Sequence, residues 1–245
     1  MSLLDAAQSA PAAIFFDMDG TLLDWQTGMQ ESWLASCEDG CAGKPAFDAR
    51  ALYAKIVERR SWFWQDAERA RAGRMDLDAA SRAVVAAAFD DLGYGDLGLA
   101  HRIADDYRAR RLALMALYPG AIATVEAVRA RGIATALITN GGQRTQRHSI
   151  ERFGLARYFD CVIVEGEFGT GKPDERVFRH ALAATGAAPE RAWMVGDSLE
   201  ADIETPVRLG MHAIWIDEAG DGLPASAAIR PHRIIRSVTE LVGRA

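Results

Sequence analysis

In the stretch Ile14-Phe15-Phe16-Asp17-Met18-Asp19-Gly20-Thr21, three apolar residues run into two carboxylates one residue apart. Two anions beside an apolar interior are costly unless positive charge stands between them. Carboxylates from separate strand ends can share a hard divalent cation, and Mg²⁺ takes one or two of them while keeping waters and a substrate phosphate oxygen. Asp17 and Asp197 are the natural ligands, with the backbone carbonyl of Asp19 as a third. The metal and Lys172 would also keep Asp17 ionised, since nearby positive charge lowers a carboxylate pKa. A held, ionised aspartate is a nucleophile able to form an aspartyl phosphate. Asp19, two residues on, is placed to protonate a leaving oxygen and later to deprotonate a water. Gly20 permits close backbone approach. Thr139 and Asn140, with the N–H groups near Gly141, can hydrogen-bond phosphate oxygens. Lys172 supplies a point charge to a transferring group.

These residues are distant in sequence, so the fold has to gather them. Short, continuously apolar runs read as strands at Ile14–Phe16, Ala134–Thr139, Cys161–Glu165, Ala192–Val195 and His212–Ile216. Helical stretches lie between the later ones, at 120–131, 143–153, 175–185 and near 206–209. Alternating strand and helix predicts a parallel sheet with helices on both faces, and unbroken apolar strands are those buried on both sides. In such sheets ligands sit beyond the carboxyl ends of the strands. Asp17 and Asp19, Asn140 to Gly142, the segment ending in Lys172, and Asp197 with Asp202 each follow one of these runs. Alone, Asp17 and Asp19 would read as a polar turn centred on Asp19-Gly20. The convergence of four strand ends sets that aside.

Residues 25–117 break the rhythm. They carry helical spacing at 28–37, 49–71, 77–91 and 97–117, punctuated by 40–45, Gly73 and 93–98, and contain no good strand. The expected organisation is an α/β core from 1–24 and 118–245, with 25–117 as a helical insertion. Within the insertion, Arg59, Arg60, Trp62, Phe63 and Trp64 either line an entrance, the aromatics stacking on a base or sugar, or pack the interior with the arginines solvated. The second reading is the default for any one of them. His101, His148, His180, His212 and His232 show no metal spacing. Glu200 reads as a surface helix residue and Asp24 as a turn leading into the insertion.

The 245 residues carry a net charge of −6 and no long basic run, which argues against a nucleic-acid groove. No apolar run approaches the length of a bilayer span, and the first residues lack the basic start of a secretory signal. Cys37, Cys41 and Cys161 are too few and oddly numbered for a disulfide framework; they read as small apolar residues in a reducing compartment. A cytoplasmic location is expected.

DMDGTLLD, ITNGG, GKPD and GDSLEAD, in that order, resemble the four motifs of the haloacid dehalogenase-like (HAD) hydrolases. The resemblance runs from the first strand to about residue 217. It implies a Rossmann-like α/β core, with 25–117 as the α-helical cap of subclass I. It also implies Asp17 as nucleophile, Asp19 as general acid/base, Thr139 as phosphate-binding hydroxyl, Lys172 as the motif lysine, Asp197 as Mg²⁺ ligand and Asp202 as a residue orienting the ligands from behind. One departure is Thr205-Pro206, where members often carry Gly-Ala; Pro206 is read as opening the next helix. Dehalogenases of the superfamily lack the second aspartate, and phosphonate-cleaving relatives place Ala there. Asp19 therefore favours hydrolysis of small phosphomonoesters, such as sugar or nucleoside monophosphates. A phosphosugar mutase and a non-catalytic phosphate-binding regulator remain alternatives. A further rival is a P-loop NTPase, because Gly166 to Lys172 fits GxxxxGK, although Pro173 stands where Ser or Thr should follow. The direction in which Lys172 faces decides between them.

Overall fold

The apolar runs become strands in a computed structural model of the protein, which describes residues 2–6 and 10–243. They are β1 (Ala13–Phe16), β2 (Leu23–Asp24), β3 (Ala116–Leu117), β4 (Ala134–Thr139), β5 (Cys161–Val164), β6 (Ala192–Gly196), β7 (His212–Ile216) and β8 (Arg233–Ile235). Six of them form one sheet in the order β5-β4-β1-β6-β7-β8, and all of its pairings are parallel. Every residue of β1 and β6 is buried, as continuous apolar strands covered on both faces must be. Phe15 packs with Ala136, Ile138, Met194 and the Val177, Phe178 and Ala181 face of the Glu175–Thr185 helix. Ile14 and Phe16 point the opposite way. Phe16 meets Phe159 edge-on there, with centroids 6.0 Å apart.

The register aligns the strand ends. Phe16 pairs with Leu137 on one side and Val195 on the other. The chain order also reverses at β1, with β4 to one side and β6 to the other, which opens the crevice where open α/β sheets bind ligands.

The chain divides into two compact units, Met1–Asp24 with Ala116–Ala245, and Trp25–Met115. The return to the sheet unit falls at Ala116 because Leu117 pairs with Leu23 and Ala116 with Asp24 in an antiparallel ladder. The second unit is all-helical: Met29–Cys41, Ala49–Gln65, Ala67–Met75, Leu77–Asp91 and Leu97–Leu114. Its core stacks Trp33 on Tyr107, centroids 3.5 Å apart, among Cys37, Leu52, Ile56, Val85, Phe89 and Ile103. The single helix expected over 49–71 is two, because Asp66 leaves the helical conformation and caps the second by accepting from the Arg69 N–H. Phe63 packs against the core, whereas Trp62 and Trp64 are exposed. Arg59 pairs with Asp91, and the Arg69 guanidinium lies 3.8 Å from the Trp62 ring centroid. The five aromatic and basic residues at the end of that helix thus divide between interior and surface.

Other boundaries shift for local reasons. Glu165 leaves β5 and starts a helical turn, Glu165–Phe168. Pro206 takes the second position of the Thr205–Arg208 helix, as expected, after a π-helical stretch at Leu199–Glu204. Among the described residues no helix is long and apolar enough to cross a membrane.

Gly73 lies inside a helix, not between helices, and is buried. A Cβ there would sit 2.7 Å from Phe63 and 3.1 Å from Trp64. Gly→Ala inside a helix normally gains about 1 kcal/mol; here overpacking of roughly 1–3 kcal/mol opposes it. Gly73→Ala should lower the urea midpoint, and a raised midpoint would show that the Phe63 ring gives way. A second prediction concerns acid. His212 lies between Trp193 and His232, with centroids 5.1 and 4.5 Å away. Burial first, then the positive character of His232 and Arg233, push its pKa from 6.5 down to about 4. The unfolded chain binds that proton more readily, so stability present above pH 6.5 is lost as pH falls toward 4. His212→Gln should therefore lose less stability than wild type between pH 7 and 4.5 in parallel denaturation curves; identical losses would remove His212 as a contributor.

Candidate active site

Asp17 stands one residue past β1, yet its N–H still bonds the Val195 carbonyl at 2.9 Å. Its position is therefore fixed by the sheet. Met18 turns into the core and is fully buried. Gly20 then reverses the chain at φ +90°, and a Cβ there would lie 2.2 Å from the Asp197 carboxylate. Only glycine meets both requirements.

Lys172 arrives from the loop after β5. Its Nζ is 2.6 Å from Asp17 Oδ1 and 2.6 Å from Asp202 Oδ1, and all three side chains are buried. Burial alone would favour a neutral amine, but the charges of Asp17 and Asp202 outweigh it and raise the lysine's affinity for its proton. Asn140 fixes this loop: its Nδ2 donates to the Lys172 carbonyl at 2.7 Å and its Oδ1 accepts from the Lys172 N–H at 2.8 Å. Lys172 thus faces Asp17, which sets aside the P-loop reading.

Asp202 uses both oxygens. Oδ1 meets Lys172 and Oδ2 accepts from the Ser198 N–H at 3.0 Å. A Cβ on Gly196 would come within 2.3 Å of that carboxylate. The Asp197 carbonyl accepts from Trp215 Nε1 at 2.8 Å, tying the loop after β6 to β7. Oxygens of Asp17, Asp197 and Asp202 lie within 4.8 Å of one another. Burial first, then the charges on Asp17 and Asp202, raise Asp197 to about 8. Burial raises Asp202 to about 6, against the pull of Lys172. Asp17 Oδ2 is buried with no hydrogen-bond partner among the described residues. An orphaned acceptor inside a carboxylate cluster with one ammonium fits a hard cation with oxygen ligands. Asp17 and Asp197 are the fitting donors, since both Asp202 oxygens are already engaged.

Asp19 is held from the β4 side. Its Oδ2 accepts from Gln146 Nε2 at 2.8 Å. Burial, then the charge of Asp17, raise its pKa to about 6. Thr139 Oγ1 accepts from the same Gln146 nitrogen at 2.8 Å. Two expected phosphate-binding groups have other partners. The Asn140 amide serves the Lys172 backbone as above, and the Gly141 N–H donates to Glu165 Oε2 at 2.9 Å. The following helix, Gln143–Arg152, starts at Gly142 with no side-chain cap. Gln146, Glu165 and Trp215 were not singled out from the sequence. The available signals were slight: Gln146 is a polar residue on the helix face that also buries Ser149 and Ile150, and Glu165 is the first residue beyond β5.

A family profile described as haloacid dehalogenase-like hydrolase matches residues 11–210. Among curated proteins, phosphoserine phosphatase from Thermus thermophilus is 48% identical over 101 residues, 41% of this chain and 41% of that protein. N-acylneuraminate-9-phosphatase from Rattus norvegicus is 35% identical over 136 residues, 55% of this chain and 54% of that one. The matched segments thus span about half or less of those relatives' lengths. Among solved structures, the HAD-hydrolase YfnB from Bacillus subtilis, bound to magnesium, superposes with a TM-score of 0.70 at 24% identity, covering 95% of this chain and 97% of that one, a likeness of fold. On the profile match across most of its length, and on a sheet whose strand ends gather the motif residues, the chain belongs to the haloacid dehalogenase-like hydrolases.

Proposed function

We propose that the protein is a Mg²⁺-dependent phosphatase that hydrolyses small phosphomonoesters, such as sugar or nucleoside monophosphates, through an aspartyl phosphate on Asp17. The observation that carries this reading is Asp17 itself. One of its oxygens is bound to a buried ammonium and the other is buried with no hydrogen-bond partner among the described residues. That is the environment of a carboxylate held in place for attack by its neighbours. Two relatives named as phosphatases support the reaction class.

In the proposed reaction an Asp17 oxygen bonds to phosphorus as the bond from phosphorus to the leaving oxygen breaks. Asp19 gives its proton to that oxygen. Asp19 then takes a proton from a water that attacks phosphorus, which releases inorganic phosphate and restores the Asp17 carboxylate. Lys172 neutralises charge on the transferring group while holding Asp17 in place. Thr139 Oγ1 accepts from Gln146, so its own proton is left for a phosphate oxygen. Asn140 contributes by fixing the Lys172 backbone. Mg²⁺, held by Asp17, Asp197 and the Asp19 carbonyl, would supply charge stabilisation, with Asp202 orienting the site from behind Lys172. The 25–115 insertion is read as a cap that selects the substrate. The three cysteines are free, in keeping with a cytoplasmic setting.

Asp17→Asn should lower phosphate release by on the order of 10⁴-fold while the far-ultraviolet circular dichroism spectrum stays native, because the amide is not a nucleophile. Turnover near the wild-type rate would rule out Asp17 as the attacking group. Asp197→Ala should raise the Mg²⁺ concentration for half-maximal activity by at least about 10-fold; an unshifted titration would strike it from the ligand set.

A further inference from the structure

Gln146 has no role as nucleophile, acid, base or ligand in the proposed reaction, yet its amide lies among the groups that do. Its Nε2 is 2.8 Å from Asp19 Oδ2, 2.8 Å from Thr139 Oγ1 and 2.6 Å from the Asn140 carbonyl oxygen. A carbonyl can only accept, so the end of the amide that faces the Asn140 oxygen must be the nitrogen. The side chain is buried, at 4% exposure. Its backbone N–H is bonded to the Gly142 carbonyl at 3.1 Å in the first helical turn. A Cβ on Gly141 would come within 3.0 Å of Nε2 and 3.2 Å of Cγ, so the glycine provides the room that the amide fills. Packed in this way, the amide has little freedom to turn away.

An N–H that donates to Oδ2 fixes the orientation of the Asp19 carboxyl group and leaves Oδ1 as the oxygen not held by the amide. We propose that Gln146 is a positioning residue for Asp19: by donating to Oδ2 it fixes the carboxyl group in the orientation from which it acts on the leaving oxygen. The inference rests on the proposed role of Asp19 as general acid. Loss of the amide leaves the Asp19 carboxyl group free to rotate out of line with the leaving oxygen. The defect then scales with how much the leaving oxygen needs protonation. An alkoxide needs it most and p-nitrophenolate hardly at all. A defect arising through Thr139 would instead fall equally on every ester, since all present the same phosphate.

The test compares kcat/KM, which reports only the first phosphoryl transfer, for p-nitrophenyl phosphate, phenyl phosphate and β-glycerophosphate. Gln146→Met keeps the length and removes the N–H groups. It should cost about 10- to 100-fold with β-glycerophosphate and under about 3-fold with p-nitrophenyl phosphate. Asp19→Asn should show the same graded pattern more steeply, and adding Gln146→Met to it should cost little more, as for two groups acting in one step. A uniform loss across the three esters in Gln146→Met, with the gradient retained in Asp19→Asn, would overturn the positioning role and leave the acid assignment standing. A flat response in Asp19→Asn would overturn the acid assignment and the inference with it. If Gln146→Met does not fold, Gln146→Leu, which also lacks the N–H groups, carries the same comparison and should show the same gradient.

Discussion

The ammonium of Lys172, enclosed between Asp17 and Asp202, is the contact on which the rest of the site depends. Removing either acid would leave a buried charge with too little compensation, and removing the lysine would leave the acids facing one another; loss of one partner of a buried pair typically costs about 3–5 kcal/mol. Even intact, the arrangement is unbalanced. Among the described residues one ammonium faces Asp17, Asp19, Asp197 and Asp202, and burial holds three of those carboxyl groups above their usual range. Such a pocket has an affinity for positive charge built into it.

The sheet supplies the precision. Parallel register brings Phe16, Leu137 and Val195 level, so Asp17 emerges between the strand that ends in Thr139 and the strand that leads to Asp197. Glycines then do what side chains would prevent. Gly20 and Gly196 lie against the carboxylates of Asp197 and Asp202, closer than any Cβ could. The acidic loops can approach each other because these two positions carry nothing.

Much of this was readable in the sequence where one residue type has one plausible use. Unbroken apolar runs located β1, β4, β6 and β7, and the acids and lysine just beyond the strands marked the crevice. β8 escaped because only Ile235 of its three residues is buried, which leaves almost no pattern to detect. The break at Asp66 escaped because an aspartate inside a helical pattern resembles a surface residue until its capping bond is seen. Asn140 and Gly141 lie where expected, but their partners come from the loop after β5, and spacing along the chain carries no information about partners so distant. Gln146 was invisible for a different reason: an amide has no reactivity of its own, and its importance lies wholly in what it touches.

The clamp between Asn140 and Lys172 separates two specifications that are usually tangled together. Both of its hydrogen bonds go to main-chain atoms of residue 172, so it dictates where that residue stands and is indifferent to what the residue is. The choice of an amine is enforced only by the two acids at the far end of the side chain. Address and identity are therefore written by different neighbours, and a lineage could revise one while inheriting the other unchanged.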